Sequence, residues 1–189
     1  MNKKNAIKAS KILFENRLNR NKIKNFPNEC IPKNLNEGYY IQNELMKLYL
    51  NLNNNKIIGR KVGCTNNEAQ LQLNIKSPFC GYLFSNFMNI SGCELNSKEF
   101  TEPYFEPEFS FKINQDINIS KAPYKFDEVK KFISSVIPSV EIVDFRFKGN
   151  IKEIGALNLI ASNAASEYWI KGKKEYKLNS INLFDQKVE

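Results

Sequence analysis

Apolar positions recur at helical spacing in two stretches near the start of the chain. Residues 5–17 and 37–52 each carry an apolar stripe among Lys and Asn residues, which is the pattern of an amphipathic helix. A polar, proline-containing loop separates the two stretches, and the run NLNNN at 51–55 is typical of a loop that ends the second helix. We therefore expect residues 1–55 to form a helical segment that caps the rest of the chain.

The pattern then changes to strands and short helices. KIIGRKVG at 56–63 predicts a strand, and Thr65 with Glu68 three positions later is a capping-box pattern that predicts a short helix through Leu73. Beyond the turn SPFCG, the predicted elements are a strand over 102–113, a helix over 127–136, a strand over 138–147, a short helix with a small-residue turn within 151–166, and a final short strand, EYWIKG. Because strands and helices intermingle without an internal repeat, we expect residues 56–189 to form an α+β domain around a curled sheet.

Alternation along the strand at 102–113 separates acidic from aromatic side chains. Glu106 and Glu108 lie on one face, while Phe105, Phe109 and Phe111 lie on the other. The aromatic face has the composition of an ordinary core. Two carboxylates aimed at one small volume repel each other unless they are well solvated, share a proton or hold a cation.

Glu141 adds a third carboxylate in an unusual setting, since most of its neighbours in VIPSVEIVDF are apolar. A buried carboxylate is costly without a partner. Asp144 and Arg146 share the opposite face of this strand and can pair, whereas Glu141 has no partner nearby in the sequence.

Two interpretations of the three glutamates stay open at this point. They converge on one divalent cation, and three oxygen donors without nitrogen or sulfur then favour a hard ion, Mg²⁺ or Mn²⁺. Pro107 fits this interpretation because proline belongs at a sheet edge or a bulge, where a ligand can approach. Alternatively, Glu106 and Glu108 form a solvated face and Glu141 pairs with a lysine.

Composition limits the kinds of functional site and partner that the chain can have. The chain has 189 residues, a net charge of +8 and no histidine, which excludes histidine acid–base chemistry, Ser-His-Asp systems and most zinc sites. Its lysines are scattered without interleaved aromatic residues, so we expect a solvated basic surface and no nucleic-acid partner. With no signal-peptide pattern and no long apolar run, we expect a cytoplasmic protein with free thiols and no membrane partner.

Several motifs together resemble one family. They are EGYYIQ, GRKVGCTNNEAQLQL, PFCGYLF, YFEPEFSFKINQDI, PSVEIVDFRF and LIASNAASEYWIKG, in the order and spacing seen in the 2-keto-4-pentenoate hydratases of the fumarylacetoacetate hydrolase superfamily. The resemblance covers nearly the whole chain. It implies a barrel-like sheet with a helical cap, and it makes residues 56–189 the metal-binding, catalytic part.

The resemblance also implies roles for individual residues. Glu106, Glu108 and Glu141 match the ligands of a divalent metal, Mg²⁺ or Mn²⁺, which holds the 1-carboxylate and 2-oxo groups of a short unsaturated acid while water adds to the distal double bond. Lys61 matches a lysine of the substrate pocket, as a cationic contact or proton shuttle. Asn163 and Ala164 match a tight turn whose backbone donors face the substrate carboxylate. Relatives form symmetric oligomers, so the resemblance implies a homo-oligomer.

The chain departs from the family pattern in three places. Phe79, or Cys80 with a shift of one position, stands where many hydratases carry an acid–base Asp. Ser162 and Ala165 stand where relatives often have Asp and Ser. Family members also continue beyond the point that matches Glu189, with strands that complete the sheet. These departures leave two alternatives beside a hydratase: a metal-dependent 2-oxo diacid decarboxylase, or a shortened, non-catalytic member.

Overall fold

The architecture described here is that of a computed structural model, which describes residues 1–187. The helices are α1 (Lys3–Leu18), α2 (Leu35–Leu50), α3 (Asn67–Gln72), α4 (Phe126–Lys130) and α5 (Ile151–Ala161). The strands are β1 (Ile57–Gly63), β2 (Phe79–Phe84), β3 (Met88–Ile90), β4 (Pro103–Ile113), β5 (Ile133–Asp144) and β6 (Ser166–Lys171). The predicted mixture of helices and strands is confirmed.

The strands form two open sheets. Strands β1 and β2 pair as an antiparallel hairpin. The larger sheet has the order β3-β6-β5-β4, in which β3 runs parallel to β6 and the other neighbours are antiparallel. Within residues 1–187 neither sheet closes on itself, so the barrel-like closure that the resemblance implied is absent from this part of the chain.

Asparagine side chains begin most of the longer helices. Asn2 accepts a hydrogen bond from the backbone of Asn5 at the start of α1, and Asn34 accepts one from Glu37 at the start of α2. These amide oxygens satisfy N–H groups that have no partner inside the helix. At α3 the cap is Asn66, which accepts from Ala69 at 2.8 Å, so the predicted capping box beginning at Thr65 is wrong by one position.

The boundary between α4 and β5 also differs from the prediction. The helix expected over 127–136 ends at Lys130, and β5 begins at Ile133 rather than 138. Pairing with β4 extends from Asp144 back to Ile133, so residues with a helical pattern are held extended by their neighbour strand. Sheet pairing therefore outweighs the weak helical preference of this segment.

The helices and sheets share one hydrophobic core. Ala6 of α1, Ile41 of α2, Tyr82 of β2 and Ile160 of α5 all belong to one buried cluster. Gly38 permits α2 to pack closely on α5, because a Cβ atom there would lie 3.2 Å from the carbonyl oxygen of Leu157. The division into two units at residue 55 stays a prediction, although the helical segment packs on the rest of the chain.

The aromatic face of β4 is not core. Phe105 is 67% exposed, and Phe109 and Phe111 are also exposed, so the expectation of an ordinary core on this face is wrong. Strand β4 lies at the edge of the sheet and pairs only with β5 among the described strands, which leaves this face in solvent. Alternation predicts which residues share a face but not whether another layer covers it.

Two further observations concern the cysteines and the lengths of the helices. The cysteines Cys30, Cys64, Cys80 and Cys93 are free thiols, as expected. Within residues 1–187, none of the helices combines the length and the apolar character that crossing a bilayer requires.

A matched pair of substitutions tests the exposed face. Phe105 and Ile142 lie directly opposite each other across β4 and β5, but Ile142 is only 2% exposed. We expect Phe105→Thr to lower the free energy of unfolding by less than about 1 kcal/mol, and Ile142→Ala to lower it by about 2–5 kcal/mol because it leaves a cavity. Chemical denaturation measures both, and equal losses would show that Phe105 is buried in solution.

Candidate functional site

The register of β4 and β5 assembles a cluster of three carboxylates. Glu106 lies directly opposite Glu141, so their side chains share one face of the sheet, and Glu108 is two positions along on the same face. One oxygen from each of Glu106, Glu108 and Glu141 lies within 4.8 Å of the others. Glu141 is fully buried, Glu108 is half-buried and Glu106 is exposed, so the cluster opens from the sheet surface toward solvent.

Lys61 approaches this cluster from the β1–β2 hairpin. Its side chain is buried, with Nζ 2.9 Å from Oε2 of Glu141, and it donates a hydrogen bond to the carbonyl oxygen of Ala164 at 3.2 Å. The alternative in which Glu141 pairs with a lysine is thus realised alongside the convergence of the glutamates. One ammonium group faces three carboxyl groups, so it can balance the charge of only one of them when they ionise.

The oxygens of Glu141 remain incompletely satisfied. Both are buried, and within residues 1–187 neither has a well-aligned hydrogen-bond partner, although Lys61 Nζ lies 2.9 Å from Oε2 and both Lys61 and the Ser166 side chain act to lower the pKa of this carboxyl group, against the effect of its burial. Buried polar atoms are nearly always paired, so two such oxygens on one carboxylate need an explanation. A cation bound by Glu141 together with Glu106 and Glu108 would supply the missing partner. The all-oxygen donor set fits a hard divalent ion.

Burial and like charge disfavour full ionisation of the cluster. Burial and, to a lesser extent, the charge of Glu141 raise the pKa of Glu108 to about 7, against the opposing effect of the Lys61 ammonium. Burial likewise raises the pKa of Glu141 above its ordinary value, again against the influence of Lys61. Part of the cluster therefore holds protons near neutral pH unless a cation displaces them.

The turn after α5 holds Lys61 in place. Asn163, Ala164 and Ala165 adopt left-handed backbone conformations in succession, with φ of 61°, 54° and 58°. Such a run is costly for residues other than glycine and persists only where surrounding contacts impose it. The contact here is the Asn163 amide, which accepts from the Tyr82 N–H at 2.7 Å and donates to the Tyr82 carbonyl at 3.0 Å.

These contacts change the expectation for the turn. The Asn163 side chain is fully engaged with β2, and the Ala164 carbonyl is engaged with Lys61. Substrate contact through the Asn163 amide is therefore not available in this arrangement. Contact through backbone donors of the turn stays a prediction, whereas the observed role of Asn163 and Ala164 is to position Lys61.

Phe79 lies beside the lysine. A Cβ atom on Gly63 would sit 3.1 Å from the Phe79 ring and 3.7 Å from Lys61 Nζ, so glycine is needed where these two side chains meet. The position at which many hydratases carry an Asp is thus close to the site, but here it holds an apolar ring.

One polar group next to the carboxylates, the indole N–H of Trp169, was not predicted from the sequence. Trp169 of β6 lies opposite Glu141 in register, and its indole N–H donates to the Ser110 hydroxyl at 3.0 Å. Ser110 in turn hydrogen bonds to Ser139 at 2.7 Å. Alternation placed Ser110 on the carboxylate face, but nothing local indicated that an indole from another strand would reach it.

A buried ionic network supports the strands that carry the site. Arg146 pairs with Asp144 at 2.9 Å, as the sequence predicted, and also with Glu167. Glu167 is held as well by Arg17 of α1, at 2.9 Å. Asp144 accepts further hydrogen bonds from the Thr101 hydroxyl and from the backbone N–H groups of Thr101 and Glu102. The start of β4 is thereby fastened to the end of β5, which fixes the register that brings the glutamates together.

A sizeable cavity lies elsewhere. It has a volume of about 570 Å³ and shares Phe79 with the neighbourhood of Lys61, but none of the three glutamates lines it. We place the functional site at the glutamates because their donor set and unsatisfied oxygens define a chemistry, whereas volume alone does not.

Comparison with known proteins agrees with this architecture. No family model matches the chain. The chain is 28% identical over 129 residues to 2-keto-4-pentenoate hydratase 1 of Dechloromonas aromatica (strain RCB), covering 68% of this chain and 47% of that protein. It is 28% identical over 134 residues to 4-oxalocrotonate decarboxylase of Pseudomonas sp. (strain CF600), with the same coverage. The chain thus spans about half the length of these curated relatives.

A solved structure shares the fold. It is 4-oxalocrotonate decarboxylase from Pseudomonas putida G7, complexed with magnesium and adipate, which superposes with a TM-score of 0.88 at 22% identity over 97% of this chain and 68% of that chain. The fold is therefore shared with this decarboxylase. Curated relatives at 26–28% identity include proteins named 2-keto-4-pentenoate hydratase, so the resemblance drawn from the motifs is confirmed.

The raised pKa of Glu108 predicts how stability depends on pH. In the metal-free protein the folded state holds a proton on Glu108 up to about pH 7, whereas the unfolded chain releases it near pH 4.5. Stability is therefore lost as pH rises through this window. We expect Glu108→Gln to raise the free energy of unfolding at pH 8 by roughly 1 kcal/mol, less than the full shift because part of the side chain is solvated.

Denaturant unfolding with a chelator present, at pH 5 and pH 8, measures this effect. The stabilisation should be smallest at pH 5, where Glu108 of the natural protein is itself protonated. A variant equally stable to the natural protein at both pH values would show that the Glu108 carboxylate is fully solvated.

Proposed function

We propose that the protein is a divalent-metal-dependent lyase that adds water to a short unsaturated 2-oxo acid of the 2-hydroxypenta-2,4-dienoate type. The observation that supports this most is the set of Glu106, Glu108 and Glu141, within 4.8 Å of one another around buried Glu141 oxygens that have no aligned hydrogen-bond partner within residues 1–187. The curated relatives named 2-keto-4-pentenoate hydratase, about half of whose length this chain matches, support the reaction type.

In this proposal the three glutamates hold Mg²⁺ or Mn²⁺. The bound ion supplies a Lewis acid that polarises the 2-oxo group of the substrate. Lys61 keeps a positive charge beside Glu141 and favours the ionised carboxylate that a metal requires. Its Nζ, held by Ala164, is the cationic group best placed to contact the substrate or to carry a proton.

A decarboxylase acting on a 2-oxo diacid is the second candidate. The observation that favours it is Phe79, which places an apolar ring next to Lys61 where an acid–base Asp would assist water addition. Decarboxylation of a 2-oxo diacid needs the same activation of the oxo group but less proton transfer. Relatives named 4-oxalocrotonate decarboxylase match the chain as well as the hydratases do, at 28% identity.

Metal binding can be tested without an activity assay. We expect Mg²⁺ or Mn²⁺ to raise the melting temperature of chelator-treated protein, by an amount equivalent to about 2.7 kcal/mol at one hundred times the dissociation constant. Glu108→Gln should reduce the response strongly, because it removes one of three charged ligands. Glu102→Gln is the matched control. Glu102 immediately precedes β4, its side chain is exposed, and it forms an ion pair with Lys22 instead of joining the cluster. An equal response in both variants would place the metal elsewhere.

Turnover distinguishes the two reactions. Purified protein is incubated with 2-hydroxypenta-2,4-dienoate and Mg²⁺ or Mn²⁺, and loss of the dienol absorbance is followed, while carbon dioxide release is measured from 2-oxohex-3-enedioate. We expect metal-dependent loss of the dienol, reduced at least about a hundredfold in Glu108→Gln and in Lys61→Met.

Loss of the dienol absorbance without metal contradicts the hydratase proposal. Release of carbon dioxide alone selects the decarboxylase, and metal binding without either reaction selects a non-catalytic member.

The same sample tests the proposed homo-oligomer. Sedimentation measurements give the mass in solution, and a mass of one chain contradicts this part of the proposal.

A further inference from the structure

The cavity of about 570 Å³ lies between α2, α5 and the segment that leads into β2. Its volume is within the range of small-molecule binding sites. The walls are mainly apolar and come from three parts of the chain: Leu35, Tyr39, Leu73, Ile75, Pro78, Phe79, Ala156, Leu157 and Ile160. Water in such a space gains few hydrogen bonds, so an apolar group that displaces it binds favourably.

Two lysines give the cavity a charge. Lys33 and Lys76 line it from opposite segments, and neither forms an ion pair among residues 1–187. Glu37, one turn into α2, forms no ion pair with either lysine side chain, because its carboxylate binds the Met1 amino group and accepts a hydrogen bond from the Lys33 backbone N–H. The cavity therefore combines apolar walls with a cationic rim.

The uncharged polar residues of the cavity are few. Asn34, Asn74 and Ser77 line it, and the Tyr39 hydroxyl accepts a hydrogen bond from the Cys80 N–H at 3.1 Å. The charged side chains that line the cavity are Lys33 and Lys76. A ligand with an apolar body and one anionic end matches this distribution, because the body covers the apolar walls and the anionic end meets the lysines.

We propose that this cavity is a binding site for an amphipathic monocarboxylate, with the apolar body between α2 and α5 and the carboxylate at Lys33 and Lys76. The inference goes beyond the proposed lyase function, since none of the glutamates lines the cavity. Phe79 lines the cavity, and its ring also lies near Lys61, since a Cβ atom on Gly63 would be 3.1 Å from the ring and 3.7 Å from Lys61 Nζ. Binding here requires no metal.

Calorimetry with two ligands of the same chain length tests the proposal. Octanoate and octanol are titrated into the chelator-treated protein. We expect octanoate to bind the natural protein more tightly than octanol. The double variant Lys33→Ala/Lys76→Ala should weaken octanoate binding roughly threefold to tenfold and leave octanol unchanged. Lys148→Ala/Lys152→Ala is the matched control, because it removes the same charge from exposed lysines that do not line the cavity. It should bind octanoate as the natural protein does.

A second pair of variants fills the space. Ala156→Phe from α5 and Leu35→Trp at the rim should each reduce binding of both ligands, and Leu35→Trp keeps the buried core intact because Leu35 is 45% exposed. Glu108→Gln should bind octanoate normally, which separates this site from the proposed metal site. The proposal is overturned if octanoate does not bind, if both lysine double variants weaken binding equally, or if Glu108→Gln abolishes it.

Discussion

The antiparallel register between β4 and β5 is the constraint on which the site depends. Glu106 faces Glu141 because one register runs from the Pro103–Asp144 pair at one end of the ladder to the Lys112–Ser135 pair near the other. A slip of one residue would turn Glu106 and Glu108 to the opposite face of the sheet. Asp144 prevents such a slip, because its carboxylate binds Thr101 and Glu102 immediately before β4 and pairs with Arg146 beyond β5.

The buried charges of this fold fall into two groups that differ in how well they are compensated. Asp144 and Glu167 face two arginines and several hydrogen-bond donors, so their negative charge is balanced inside the protein. Arrangements of this kind hold a structure in one conformation. Within residues 1–187, Glu141 instead meets a single lysine and two neighbouring carboxyl groups, and its oxygens have no well-aligned hydrogen-bond partner. Asp144 and Glu141 lie on the same strand, β5, but the first belongs to a balanced ionic network and the second to a site that can bind a cation.

Much of the secondary structure followed from local pattern. The stripes of apolar residues predicted α1 and α2, and alternation predicted β4 with Glu106 and Glu108 on one face. The prediction failed for the segment that begins at Ile133. This segment has a helical sequence pattern, but pairing with β4 makes it part of a strand. The prediction also failed for Phe105, since composition cannot show whether another layer covers a face.

The sequence by itself determined the chemistry available to this protein. The absence of histidine, the two-residue spacing of Glu106 and Glu108, and the apolar flanks of Glu141 left oxygen donors as the candidate site. Only the tertiary structure decided which groups meet. It brought Lys61 to Glu141 across 80 positions (141 − 61 = 80) and paired the Asn163 side-chain amide with the backbone of Tyr82. The physical reason is that periodicity fixes the direction of a side chain within its own element, whereas contacts between elements depend on packing that no local stretch encodes.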